Sequence, residues 1–163
     1  MVADTRFEER LRSTVDEQRQ TISELQTPVI QIWEGVLVLP IVGSLDTTRA
    51  QAMTENLLER IVQTASEIAI LDITGIPVVD TAVASHLLET VTAARLLGAE
   101  VLIVGLTTHT ALTLVHLGVD LSGVITRTTL AKGLALAFDW LGLTVVRSHE
   151  GTGGAKRPQT EAR

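Results

Sequence analysis

The chain has 163 residues, no cysteine, and a net charge of −6 from 13 Lys and Arg against 19 Asp and Glu. That length fits one ordinary domain with some extra chain, and such a core needs no metal or disulfide to hold it together. The absence of cysteine excludes a disulfide framework, a thiolate zinc site, an iron–sulfur cluster and a cysteine nucleophile, while the acidic balance, with two Trp, two Phe and no Tyr, argues against nucleic-acid and anionic-membrane partners.

The first zone, residues 1–26, is polar, rich in helix formers and free of Gly and Pro. Leu11, Val15, Gln18, Ile22 and Leu25 recur at spacings of 4, 3, 4 and 3, a heptad seam with one polar position. The pattern predicts a helix of linker type. Two readings are open: a coiled-coil dimer seam formed by Leu11, Val15, Ile22 and Leu25, or a single amphipathic helix packed on its own domain. Thr27-Pro28 ends it, because a residue before proline avoids the helical region. This opening stretch has no apolar centre of signal-peptide type, and no apolar run approaches the roughly 20 residues of a membrane span. The expected location is the cytoplasm.

The central zone, residues 27–147, alternates short apolar runs with amphipathic stretches. Val29 to Trp33 reads as a strand, Glu34-Gly35 as a hairpin turn, and Val36 to Pro40 as its partner. A helix is predicted from Thr47 to Thr64, with Ala50, Met53, Leu57, Leu58, Ile61 and Val62 on one face. A buried strand follows over Glu67–Ile73, then a helix over Asp80–Leu97 ended by Gly98. Val101–Val104 reads as a buried strand and Thr108–Leu117 as a short helix ended by Gly118. Val124-Ile125 reads as a short strand, Thr129–Leu141 as a helix, and Leu143–Val146 as a further edge strand. Helix-separated strands of continuous apolar sequence imply an α/β fold with a mixed, mostly parallel sheet covered by helices. In such sheets functional residues gather at loops beyond the carboxyl ends of strands, here Thr74–Asp80 and Gly105–Thr108. Residues 148–163 read as a solvated, flexible tail.

Catalytic signatures are missing: there is no P-loop, dinucleotide fingerprint or nucleophile elbow. His86, His109, His116 and His149 match no zinc spacing, and adjacent Ser85 and His86 point about 100° apart on a helix. No catalytic residue, metal or cofactor is assigned. Asp80 reads as a helix N-cap. Asp72, inside a strand, has no account at this level beyond a polar group near a strand end. Thr81 falls in the first turn of its helix, where a phosphoryl group would meet free N–H groups and the positive end of the dipole, adding about −1.5 to −2 charge. The plainer alternative is a tolerated helix-start residue.

The segment from Leu71 to Thr81, LDITGIPVVDT, resembles the signature of STAS domains, the anti-sigma-factor-antagonist family. The resemblance continues through Ala94–Glu100 and Leu117–Leu121, covers residues 27–146, and is strongest to the C-terminal domain of the RsbR class of stressosome proteins. The resemblance implies a STAS fold and a non-enzymatic role. A co-antagonist of this class sequesters a serine/threonine switch kinase (RsbT-like) together with a scaffold STAS protein (RsbS-like), as a homodimer within a large stressosome assembly. Threonine phosphorylation releases the kinase, which controls the general stress response through an alternative sigma factor. The phosphoacceptor implied at the start of the second helix is Thr81, supported by the Asp80 cap, and a second lies at Thr113, with Thr107, Thr108 and Thr110 nearby. The RsbR class normally carries a separate N-terminal sensory domain, whereas this chain has before the STAS domain only a helix that resembles the linker helix of that class; RsbS-class scaffolds usually carry Ser at the acceptor and lack this helix. Alternatives are a STAS module that binds a nucleotide or small ligand on the Thr74–Asp80 loop, a scaffold without phosphorylation switching, and the regulatory domain of an anion transporter.

Overall fold

The computed structural model describes residues 9–10, 28–144 and 146–147. The predicted seam positions Leu11, Val15, Ile22 and Leu25, and the tail 148–163, lie outside the described residues.

Strands β1 (Ile30–Trp33) and β2 (Val36–Val42) form the expected hairpin around Glu34-Gly35. Helix α1 (Thr47–Thr64), β3 (Ile68–Gly75), α2 (Thr81–Leu96), β4 (Glu100–Val104), α3 (Thr108–His116), β5 (Ile125–Arg127) and α4 (Leu130–Trp140) follow. The strands lie in the order β1-β2-β3-β4-β5. Only β1 is antiparallel to its neighbour; β2 to β5 are parallel. The sheet is thus mixed and mostly parallel, as its apolar strands imply.

Alternation along each strand splits the core in two. Leu37, Leu39, Ile41, Leu71, Ile73, Val101 and Ile103 face α1, α2 and α3, meeting Met53, Leu57, Leu87, Val91 and Leu114. Val36, Val38, Ile68, Ile70, Leu102 and Val104 form the opposite layer with Ala137 of α4. Each fully buried aliphatic side chain contributes roughly 1.5–3 kcal/mol, so strands buried on both faces dominate the stability. Helix α4 comes so close that a Cβ at Gly133 would lie 2.4 Å from Val104 Cγ1.

Pro40 sits inside β2 without breaking it. It pairs with Asp72 of β3, while β1 reaches only as far as Ile30 opposite Val38. Pro40 therefore has no described strand on its outer side, the edge-like setting in which a sheet tolerates proline. Among the described residues of the edge strand expected over Leu143–Val146, Leu143, Thr144 and Val146 lie in no strand. Leu143 instead donates its N–H to Phe138 O at 2.8 Å, turning back on the end of α4. No described helix is long and apolar enough to cross a membrane.

Candidate functional site

The carboxyl ends of β3 and β4 deliver the two loops named above. At the end of β3, Asp72 Oδ1 accepts hydrogen bonds from Thr74 N at 3.0 Å and Thr74 Oγ1 at 2.6 Å. Asp72 thus holds the strand end in shape, which supplies the account that sequence reasoning lacked; an Asp two residues before a Thr was the available signal. Gly105, with φ +90°, follows β4 and backs directly onto Thr74. Its N–H donates to Arg127 O at 3.2 Å, tying β5 to the same point. Gly75 O accepts from Gly43 N at 2.9 Å, which ties in the β2–α1 loop.

Beyond Gly75 the chain turns, with Ile76 N donating to Ile73 O at 3.0 Å. Ile76 and Val79 are buried and anchor the loop, while Pro77 and Val78 are exposed. Asp80 then takes extended backbone angles, and its Oδ1 accepts from Val83 N at 2.8 Å. It is the N-cap of α2, as predicted. Thr81 is the first residue of the helix and is exposed. Its neighbours Val83 and Ala84 are buried, so the backbone beneath the exposed hydroxyl is fixed by the core.

Helix α3 repeats this arrangement with a threonine cap. Thr107 Oγ1 accepts from Thr110 N at 3.1 Å and donates to Thr110 Oγ1 at 3.0 Å. Thr108 occupies in α3 the place that Thr81 occupies in α2, a parallel visible only once both helix starts are set. Thr113 sits further along, half-buried, with its Oγ1 donating to His109 O at 2.8 Å. Beside it Leu114 is buried, and Leu112 and Val115 are exposed.

Helices α2 and α3 follow adjacent parallel strands and meet through a shared apolar layer. Ala84 and Leu87 of α2 and Leu114 of α3 close over Ile73, Val79 and Ile103, leaving about 10 Å³ of free volume. Thr81 and Thr113 are thus carried by two helices that share this apolar layer, and Val78, Leu112 and Val115 are exposed in the loop before α2 and in α3. After α3, Asp120 Oδ1 accepts from Ser122 N at 2.9 Å. Hydrogen bonds from the Ser122 hydroxyl and then its N–H hold the Asp120 carboxyl below its ordinary range.

A separate groove of about 480 Å³ runs between α1 and α2, lined by Thr47, Gln51, Thr54, Glu55, His86 and Glu89 among others. His86 Nε2 lies 3.5 Å from Thr47 Oγ1 there. None of the residues of the Thr74–Asp80 loop lines it.

The model of the STAS domain matches residues 27–132. The chain belongs to the STAS domain family. It is 45% identical over 126 residues to the RsbT co-antagonist protein RsbRA of Bacillus subtilis, covering 77% of this chain and 46% of that protein. The chain spans less than half the length of the curated RsbR relatives it matches. Among solved structures, an RsbS variant from Moorella thermoacetica is 30% identical with a TM-score of 0.62, over 72% of this chain and 99% of that one. A chain of the stressosome, described as a signal integration and transduction hub, is 29% identical with a TM-score of 0.58, over 70% of this chain and 98% of that one. The STAS fold expected from the LDITGIPVVDT segment is therefore the fold observed, and its RsbR-like character stands on sequence identity as well.

Proposed function

We propose that the protein is a non-enzymatic stressosome component, an RsbR-like co-antagonist that holds a serine/threonine switch kinase in the cytoplasm and releases it when Thr81 is phosphorylated. The observation that carries the reading is the exposed Thr81 hydroxyl at the first position of α2, beside a cap that Asp80 provides. It sits in a domain 45% identical to a protein named for antagonism toward RsbT. A phosphoryl group there adds about −1.5 to −2 charge at an unchanged backbone, next to exposed apolar Val78. A partner packed on Val78 would have to desolvate that charge, which favours release.

Thr113 is the second acceptor in this reading. Its hydroxyl is committed to His109 O and half-buried, so phosphorylation there requires that bond to break and follows Thr81. The co-antagonist acts with an RsbS-like scaffold partner, as a homodimer joined through the Leu11, Val15, Ile22 and Leu25 seam, inside a large assembly. The downstream output is an alternative sigma factor.

The test is phosphopeptide mass spectrometry after incubation with the cognate switch kinase, its scaffold partner and ATP. Phosphate appears first on Thr81 and later on Thr113, and Thr81→Ala abolishes the early peptide. Phosphate confined to other residues, with the kinase active on the scaffold, would sink the reading.

A further inference from the structure

The groove of about 480 Å³ between α1 and α2 serves no step of the proposed kinase switch. Its size is that of a small-ligand pocket, for which roughly 300–1,000 Å³ is usual. A buried polar link ties its two walls together. Thr54 of α1 and Thr90 of α2 meet through their hydroxyls at 2.7 Å, and Thr90 is fully buried. A hydroxyl has one hydrogen to give. Thr90 Oγ1 gives its own to His86 O at 2.9 Å, so Thr54 Oγ1 is the donor to Thr90. Thr54 lines the groove and is left with lone pairs alone to offer a ligand.

Charge points the same way. Glu55 stands on the α1 wall and Glu89 on the α2 wall, both exposed. No Lys or Arg lines the groove, and neither carboxylate has an ion-pair partner among the described residues. Ionised carboxylates accept hydrogen bonds and donate none. The groove therefore presents acceptors and negative charge from both sides, which repels phosphate and nucleotides and sets it apart from an anion-binding loop.

The kind of cation follows from how the acceptors are spread. Among the described residues no three His, Asp or Glu side chains are grouped as ligands of a metal ion. The acceptors of the groove lie along two helices instead of converging on one point, so they suit an extended ligand with several N–H donors better than a compact ion. We propose that the α1–α2 groove binds a small linear polyamine, with one ammonium on Glu55 and Thr54 and another on Glu89. Hydrogen bonds from an ammonium to a carboxylate are charge-assisted, and the first to form holds the second ammonium at a raised effective concentration. The proposal needs no phosphate on Thr81 and stands or falls apart from the kinase switch.

The test is isothermal titration calorimetry of the full chain with spermidine as the probe, at low ionic strength. Spermidine saturates one site with a Kd of about 1 mM or tighter, and propylamine, with a single ammonium, binds at least tenfold more weakly. Glu55→Gln with Glu89→Gln raises the spermidine Kd at least tenfold, with circular dichroism confirming the fold. A chain of net charge −6 also attracts polycations diffusely. Glu34→Gln with Asp139→Asn, both exposed and outside the groove, removes the same charge and leaves Kd within twofold of the parent. Equal weakening of the two double variants would overturn the site, leaving diffuse attraction only. No saturable heat with spermidine up to about 5 mM would overturn it as well. Binding of a Lys-rich peptide without binding of spermidine would also overturn it and give the groove to a protein partner.

Discussion

A methyl group on Gly105 would lie 2.3 Å from Thr74 Oγ1 and 2.6 Å from Thr74 N. The carboxyl ends of β4 and β3 are pressed together at that point, and Thr74 is itself held by Asp72. The loop that carries Asp80 and Thr81 therefore leaves the sheet from a fixed platform.

Gly105→Ala must resolve a collision with backbone atoms as well as a φ of +90°, a region that side-chain-bearing residues avoid. The expected loss of stability is about 2–4 kcal/mol, read by urea denaturation. An Ala variant as stable as the parent would show that the two strand ends separate freely.

Asp80 and Thr81 are adjacent but do different work. Asp80→Ala removes the acceptor for Val83 N and should cost about 1 kcal/mol, with Asp80→Asn close to the parent. Thr81→Ala, at an exposed position, should stay within about 0.5 kcal/mol. Thermal unfolding of the three variants distinguishes a structural cap from a residue kept for its hydroxyl. Equal losses at both positions would contradict that division.

The Asp120 carboxyl is held below its ordinary range by the Ser122 hydroxyl and N–H. A carboxyl with a lowered folded value stabilises the fold above its unfolded value, and that contribution disappears as pH falls through the lowered folded value. Stability of the parent should therefore fall more steeply than that of Asp120→Ala below about pH 4. Urea midpoints measured in steps from pH 6 to pH 2.5 give the comparison, and parallel curves would count against the Ser122 bonds.

Much of the site was legible because its decisive contacts are local. The Asp80 cap joins residues three apart, and a helix start after a strand loop is written in a few consecutive residues. Asp72 was seen but not understood, although its partner Thr74 lies only two residues on. The Thr113 hydroxyl was legible as a position but not as a bond, because an ordinary helix threonine can point to solvent or to the carbonyl of residue i−4.

The order of strands and helices followed from the sequence alone, since periodicity and turn residues act over short stretches of chain. Tertiary structure alone decided that β2 to β5 lie side by side in chain order, that Gly105 must be small against Thr74, and that β1 lies at the edge of the sheet. It also decided that Leu143, Thr144 and Val146, in a stretch apolar enough for a strand, lie in none. A strand needs a partner for its backbone N–H and C=O groups, and the backbone at Leu143 bonds to Phe138 of α4 instead. Contacts between residues far apart in the chain depend on the packing of the whole sheet, and no local pattern encodes them.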